Sequence, residues 1–303
     1  MRKKNLLVSI VIPNWNGKIL LEKNLPQIIK AKKNPKNRIK EIIIVDDGST
    51  DDSLFFIKQN YLKDVKLVKH TRNRGFPAAV NTGARTSTGQ LLCLLNTDVF
   101  PQADFLEAVI PHFRKKGIFA VSLHEKGYGP AKGKFVDGFI VHSPGKEENM
   151  VSETFWANGG SGVFRRNLWM ELGGMDEINL SPFYWEDIDL SYRAMKRGYN
   201  ILWEPRAYVT HKHESIIHTG NFSKSFLDRV KERNQLIFIW KNLTSNALFK
   251  KHLKGLGQRV IKTPGYLKVI ISSFPKIKTI QMARRKEQKE ATVSDEAIFG
   301  TFR

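Results

Sequence analysis

Four apolar runs, each closed by a polar turn, constrain this chain more than any other feature. "LLVSIVIPNWN" ends in Pro13-Asn14-Trp15-Asn16, "EIIIVDDGSTDDS" in acids and turn formers, "QLLCLLNTD" in Asn96-Thr97-Asp98, and "IFAVSLHE" in Glu125. A half-wet strand alternates apolar with polar residues; these runs do not, so both of their faces are covered. Between them lie stretches with helical spacing: "GKILLEKNLPQIIKA", interrupted by Pro26, then "DSLFFIKQNY", the middle of "RNRGFPAAVNTGARTSTG", and "PQADFLEAVIPHFRKK". "VKLVKH" is a further short strand. Strands alternating with helices predict an α/β fold with a mostly parallel central sheet flanked by helices. Ligands of such sheets bind beyond the carboxyl ends of the strands. "IPNWN", "VDDGS" and "LNTDV" are therefore expected on one rim.

The second half is less regular. "EKGYGPAKGKFVDGF" has the composition of a loop or short hairpin, and "FWANGGSGVFRRNLWMELGGMDE" reads as a Gly-rich turn and a helix ended by Gly173-Gly174. "FYWEDIDLSYRAMKRGY" reads as a helix, "NILWEPRAYVTHKH" as a strand ending in histidines, and "SFLDRVKERNQLIFIWKNL" as a long amphipathic helix. The single cysteine, Cys93, excludes disulfides and a cysteine zinc site and points to a reducing cytoplasm. The basic start followed by about seven apolar residues lacks a small-residue cleavage site and reads as a buried strand. No stretch approaches the ~18 apolar residues of a membrane span.

The formal charge of +21 is concentrated. From Lys241 to Lys286 there are twelve Lys or Arg and no Asp or Glu. "LFKKHLKGLG", "YLKVIISSF" and "IQMARRK" set apolar residues periodically among the cations, which suits a helix lying on anionic lipid. A solvated basic flank is the plain alternative, and nucleic acid is the other acidic partner such charge attracts. The expected division is a domain over 1–240 and a basic helical extension over 241–303.

Three clusters could do chemistry. Asp98, at a strand end beside Asn96, can hold Mg2+ or Mn2+ with positions left for phosphate oxygens, or can simply cap the next turn. Asp46, at the tip of its strand, can point into the crevice and accept from a base or ribose. Glu186, Asp187 and Asp189 stand within four positions, behind Phe183, Tyr184 and Trp185. Acids in a first helical turn favour the macrodipole by roughly 0.3–1 kcal/mol each, and Asp189 can pair with Arg193 four residues on. His211 and His213 stand two apart at the end of this strand, and one of them, His211, is expected to join a site. A zinc site from His211, His213 and His218 lacks a fourth ligand.

"VSIVIPNWNG", "EIIIVDDGSTDDS", "RNRGFPAAVNTGARTSTG", "LLNTDV", "GGSGVFRR" and "FYWEDIDLSYRAMKRGYNILWEPRAYVTHKHES", in this order and spacing, resemble family 2 glycosyltransferases of the GT-A fold, with the nearest likeness to rhamnosyltransferase-like members of bacterial polysaccharide assembly. The resemblance covers roughly residues 6–240. It implies an inverting transfer from a UDP- or dTDP-linked sugar to a glycan or polyprenyl-linked acceptor, at the cytoplasmic face of the membrane, with no nucleic-acid partner. Asn96-Thr97-Asp98 corresponds to the family's DxD, with Asp98 the carboxylate ligand of Mg2+ or Mn2+ and Asn96 replacing the first acid. Asp46 corresponds to the base-recognising acid, with Pro13 and Asn14 flanking the base and Asn73, Arg74 and Gly75 the loop against the nucleotide. Glu186-Asp187 corresponds to the catalytic pair, Asp187 being the base. Trp185 is the expected sugar platform, Gly160 an acceptor-side contact, and His211 a metal or diphosphate ligand. The loop from about Gly127 to Phe155 is expected to set donor selectivity. A sugar-nucleotide nucleotidyltransferase would carry a Gly-rich phosphate loop after the first strand, where "IPNWNGKILLEKN" has one Gly. A nucleic-acid-binding protein would interleave aromatic and basic residues on one surface.

Overall fold

The computed structural model describes residues 6–212 and 222–302; His213 and His218 lie outside them. β1 (Val8–Asn14), β2 (Ile39–Asp46), β3 (Lys66–Lys69) and β4 (Leu91–Leu95) form the parallel half of a nine-stranded sheet in the order β3-β2-β1-β4. They are joined by α1 (Lys18–Lys32), α2 (Ser53–Asn60) and α3 (Phe76–Thr86). Val8, Ile10, Ile12, Leu91, Cys93 and Leu95 pack on one face with α1, while Val11, Leu92 and Leu94 pack on the other with α3. Each such side chain contributes roughly 1.5–3 kcal/mol when buried, and a slip of one residue would exchange every partner, so the register is fixed.

Two segments depart from the sequence reading. Residues 102–114 are not one helix: Phe105, Glu107 and Val109 donate to carbonyls three residues back, and Ile110–Arg114 is a 3-10 turn. Pro111 lacks an N–H and crowds the carbonyl four residues earlier, which disfavours α-helix there. The sheet, moreover, is mixed. β5 (Val99–Pro101) is followed by β6 (Ile118–Glu125), the hairpin β7 (Gly129–Val136) and β8 (Phe139–Gly145), short β9 (Ser152–Glu153), and β10 (Ser161–Arg165). β10 runs antiparallel between β4 and β6. Parallel neighbours need a crossover, usually a helix; the hairpin that replaces it returns the chain in the opposite direction. "SGVFR", which its glycines mark as part of a turn, is a buried strand. The hairpin turns at Asp137 and Gly138, both at positive φ (49° and 86°), the Asp-Gly signal for a tight two-residue turn.

α4 (Arg166–Glu171) and α5 (Glu186–Lys196) precede β11 (Asn200–His211), which pairs with β6, β5 and β9. The remaining chain is helical: α6 (Lys224–Asn242), α7 (Asn246–Lys262), α8 (Leu267–Ser273), α9 (Ile277–Glu290) and α10 (Asp295–Thr301). Residue 240, the expected boundary, lies inside α6. Leu248, Tyr266, Val269, Ile280, Ile298 and Phe299 join the same apolar core as Leu94 and Ile188. No helix among the described residues is long and apolar enough to cross a membrane.

Candidate active site

Because Asn14 is in register with Asp46 across β1 and β2, the polar strand ends lie level and open into a cavity of about 340 Å3. Pro13, Asn14, Trp15, Asp47, Asn73, Gly75, Phe76 and Ala79 line one part, Asn96, Thr97 and Asp98 another, and Pro182, Phe183 and Phe222 face them.

Asp46, expected in the crevice, is fully buried behind it. Its Oδ2 accepts from Asn14 Nδ2 (3.0 Å) and its Oδ1 from the Ser49 N–H (3.1 Å). Successive residues at a strand end point to opposite sides, so the cavity side falls to Asp47. The Asp47 carboxylate accepts from the N–H groups of Arg74 (3.0 Å) and Gly75 (2.8 Å) and lies 2.6 Å from His70 Nδ1. This carboxylate therefore shapes the 73–75 loop that lines the cavity. Asn73 and Gly75 take their expected places; the Arg74 guanidinium instead turns to Glu177, 3.1 Å away.

Asp98 is 2% exposed, and its Oδ2 lies 3.2 Å from His211 Nε2. His211 Nδ1 in turn lies 3.1 Å from Glu125 Oε2. Burial disfavours a charged imidazole, but the two carboxylates outweigh it and push the His211 pKa up to about 10. Asn96 Oδ1 is a buried acceptor without a hydrogen-bond donor, and beside the buried Asp98 Oδ2 lies the His211 ring. Unpaired oxygens of this kind are costly unless a cation or ligand satisfies them. They are also the hard ligands a divalent ion prefers, so the donor set fits Mg2+ or Mn2+. Among the described residues no three His, Cys, Asp or Glu side chains make a ready cage; phosphate oxygens would have to complete the coordination.

The carboxylates of α5 reach this rim through two glycines. The Asn96 N–H donates to the Gly160 carbonyl (2.9 Å), and the Gly159 N–H donates to Asp187 Oδ2 (3.1 Å). A Cβ at Gly160 would collide with the Asn96 amide, which makes this close approach a glycine requirement. Gly160 thus acts as a spacer between the DxD-like segment and α5. Burial raises the Asp187 pKa, against the opposing N–H groups of Gly159 and Ile188. Glu186 is 7% exposed with Oε2 unpartnered, and burial, reinforced by the Asp187 charge, drives its pKa well above the usual range. Asp189 makes the expected i,i+4 pair with Arg193 (2.8 Å), fully buried.

Trp185, expected as the sugar platform, sits in the core instead, with ring centroids 5.2 Å from Phe238 and 5.1 Å from His142. Phe183 lines the cavity, with Phe222 5.4 Å away and Trp15 6.1 Å beyond that. The largest ring of "FYW" gains most from burial, and the choice among the three was not visible in the sequence. On the other side of His211, Glu125, Tyr128, His142, Thr154, Trp156 and Asn158 line a second cavity of about 270 Å3, bordered by the segment from Gly127 onward.

A mixed sheet flanked by helices, with polar strand ends on one rim and a carboxylate-bearing helix beside it, is the GT-A fold. Residues 9–167 match the family described as glycosyl transferase family 2, and the chain belongs to that family. It is 28% identical over 196 residues to the pre-mycofactocin glycosyltransferase of Mycobacterium tuberculosis, covering 61% of this chain and 40% of that protein. The chain therefore spans less than half of that relative. In fold it is similar to GalNAc-T7 with UDP, GalNAc and Mn2+ (TM-score 0.65, 18% identity, 87% of this chain and 57% of the other). A similar likeness holds with S. aureus TarS 1–349 in complex with UDP (TM-score 0.57, 16% identity, 94% and 89%).

Proposed function

We propose that this chain is an inverting glycosyltransferase that moves a sugar from a UDP- or dTDP-linked donor to a hydroxyl of a glycan or polyprenyl-linked acceptor in the cytoplasm. The carrying observation is the pair of hydrogen bonds that ties Asn96 to Gly160 and Gly159 to Asp187. Metal-binding segment and base flank two consecutive residues.

In this reading Asp47, rather than Asp46, accepts from the nucleotide's base, with Pro13, Asn14 and the 73–75 loop around it. Asp98, with Asn96 beside it and His211 joining only as a neutral imidazole, would hold Mg2+ or Mn2+, which would supply positive charge against the negative charge gathering on the departing diphosphate. Asp187 takes the proton from the acceptor hydroxyl as that oxygen attacks the anomeric carbon from the face opposite the diphosphate. A raised pKa makes it a stronger base than an exposed aspartate. Glu186 is buried beside it, and burial together with the Asp187 charge disfavours its ionised form. Phe183 and Phe222 exclude water and offer faces for the donor. The second cavity, beyond His211, suits the acceptor, because Trp156 and Tyr128 can stack on a ring and Asn158 and Thr154 can bond hydroxyls.

A thermal-shift panel of UDP, dTDP and GDP, each with and without Mn2+, tests this. One nucleotide should stabilise the protein only when the metal is present. A flat panel would remove the donor site.

A further inference from the structure

The basic C-terminal helices carry a feature that sugar transfer does not use. Seven of the eighteen exposed large apolar side chains among the described residues fall within 253–282. They are Leu253 (52%), Ile261 (80%), Leu267 (48%), Ile271 (53%), Phe274 (54%), Ile277 and Met282. On α7, Leu253 and Ile261 are eight residues apart, two turns along one helix face. From α8 into the following turn, Leu267, Ile271 and Phe274 follow the i, i+4, i+7 spacing of one stripe. These same helices bury their other faces: Leu248 and His252 of α7, Val269 and Ser273 of α8. Lys250, Lys254, Lys262, Lys268 and Lys278 stand exposed among the apolar groups, and no acid occurs from 241 to 286.

We propose that this face of α7, α8 and the start of α9 is a docking surface for an anionic lipid bilayer, with Ile261, Ile271 and Phe274 entering the headgroup layer and the lysines binding the lipid phosphates. Charge complementarity selects the occupant. A surface of one sign attracts an anionic partner, and clustered aliphatic side chains gain free energy only where hydrocarbon receives them. Nucleic acid would reward stacking rings, and Phe274 is the one exposed aromatic ring in this patch. No described helix can span the bilayer, so the contact is peripheral. A chain of contacts runs from the patch toward the donor cavity. Lys276 Nζ donates to the carbonyls of Ile178 and Asn179, both at 2.8 Å. Ile178, itself 64% exposed, lines a groove with Arg72, Arg74 and Asn73, the last of which also lines the donor cavity. Docking there would hold the donor side of the site close to the membrane surface.

The test is co-sedimentation of the full chain with phosphatidylcholine vesicles, with and without phosphatidylglycerol, across a salt series. The wild type should partition at least about tenfold more strongly onto the anionic vesicles, and the excess should vanish as salt rises. Each lysine removed in a Lys250→Gln/Lys254→Gln/Lys262→Gln/Lys268→Gln variant should weaken partition by roughly fivefold. An Ile261→Ser/Ile271→Ser/Phe274→Ser variant should lose on the order of a hundredfold while keeping its salt dependence. All these side chains are exposed, so melting temperature and the nucleotide-induced shift should stay at wild-type values and show that the fold survives. Equal partition onto both vesicle types would overturn the proposal. So would a serine variant that binds like wild type, or tighter binding to single-stranded RNA than to anionic vesicles. Vesicle binding is read without any sugar transfer, so its failure would leave the transferase reading standing.

Discussion

The two sides of the active site are built on different physics. The donor side is a set of strand ends above an apolar sheet: β1 and β4 are buried almost throughout and β2 from Ile42 onward, and their polar tips are fixed by register. The side that carries Asp187 is held by charge. Lys196 and Asp295, both fully buried, pair at 2.7 Å, and Asp295 also accepts from the Tyr192 hydroxyl and the N–H groups of Thr244 and Ser245. Lys241 lies between Asp176 (2.6 Å) and Asp189 (2.7 Å). The helix that bears Asp187 is thus pinned by Lys241 and Asp295, from the C-terminal part of the chain. Mutations far from the cavity should therefore harm the base side more than the donor side.

The largest expected effect tests that contrast. Asp295→Ala strands the Lys196 ammonium in the core and should cost about 3–5 kcal/mol, seen as a lower urea midpoint. A loss below about 1 kcal/mol would mean that the pair is dispensable and the contrast false. Gly160→Ala probes the join between the two sides. Its Cβ should displace Asn96, at about 1–3 kcal/mol of overpacking, and weaken the Mn2+-dependent nucleotide shift. Within the donor side, Asp47→Asn should reduce nucleotide affinity by about 1.5–3 kcal/mol, the worth of a charged hydrogen bond. Asp46→Asn should instead lower the melting temperature and leave affinity nearly unchanged; the reverse order would restore Asp46 as the recognising acid.

A smaller effect concerns pH. In the proposed transfer Asp187 acts ionised, and burial lifts its pKa above the ordinary 3.8. Transfer should therefore fall as pH drops through that raised value, with the acid limb of kcat/KM above the range of an exposed aspartate. Glu186→Gln, which replaces a carboxyl whose ionised form burial disfavours, should transfer at close to the wild-type rate.

The donor side was largely legible because its signals are local. An apolar run, a turn and an acid identify a strand end, and three such ends in sequence place a rim. What the sequence leaves open there is a matter of one residue: Asp46 and Asp47 are adjacent, and only the point where β2 ends decides which of them lines the cavity. The base side was legible as a motif but not as a structure. The Lys241–Lys286 run showed its charge but not that Lys241 is buried against Asp176 and Asp189, or that Asp295 secures the helix bearing Asp187. Such pairings span 50 to 100 residues of sequence and have no periodicity. Trp185 was misplaced for a related reason, since Phe238, which packs against it, is remote in sequence. β10 was missed because five residues after a glycine turn carry too little pattern to mark a strand.

The central claim is that a metal-binding carboxylate at position 98 and a base at position 187, tied through Asn96, Gly160 and Gly159, serve one transfer. Sugar transfer by Asp187→Asn, measured beside its UDP- and dTDP-induced thermal shift in Mn2+, tests it most directly. The account predicts no detectable transfer with the metal-dependent shift intact. Transfer at the wild-type rate would contradict it.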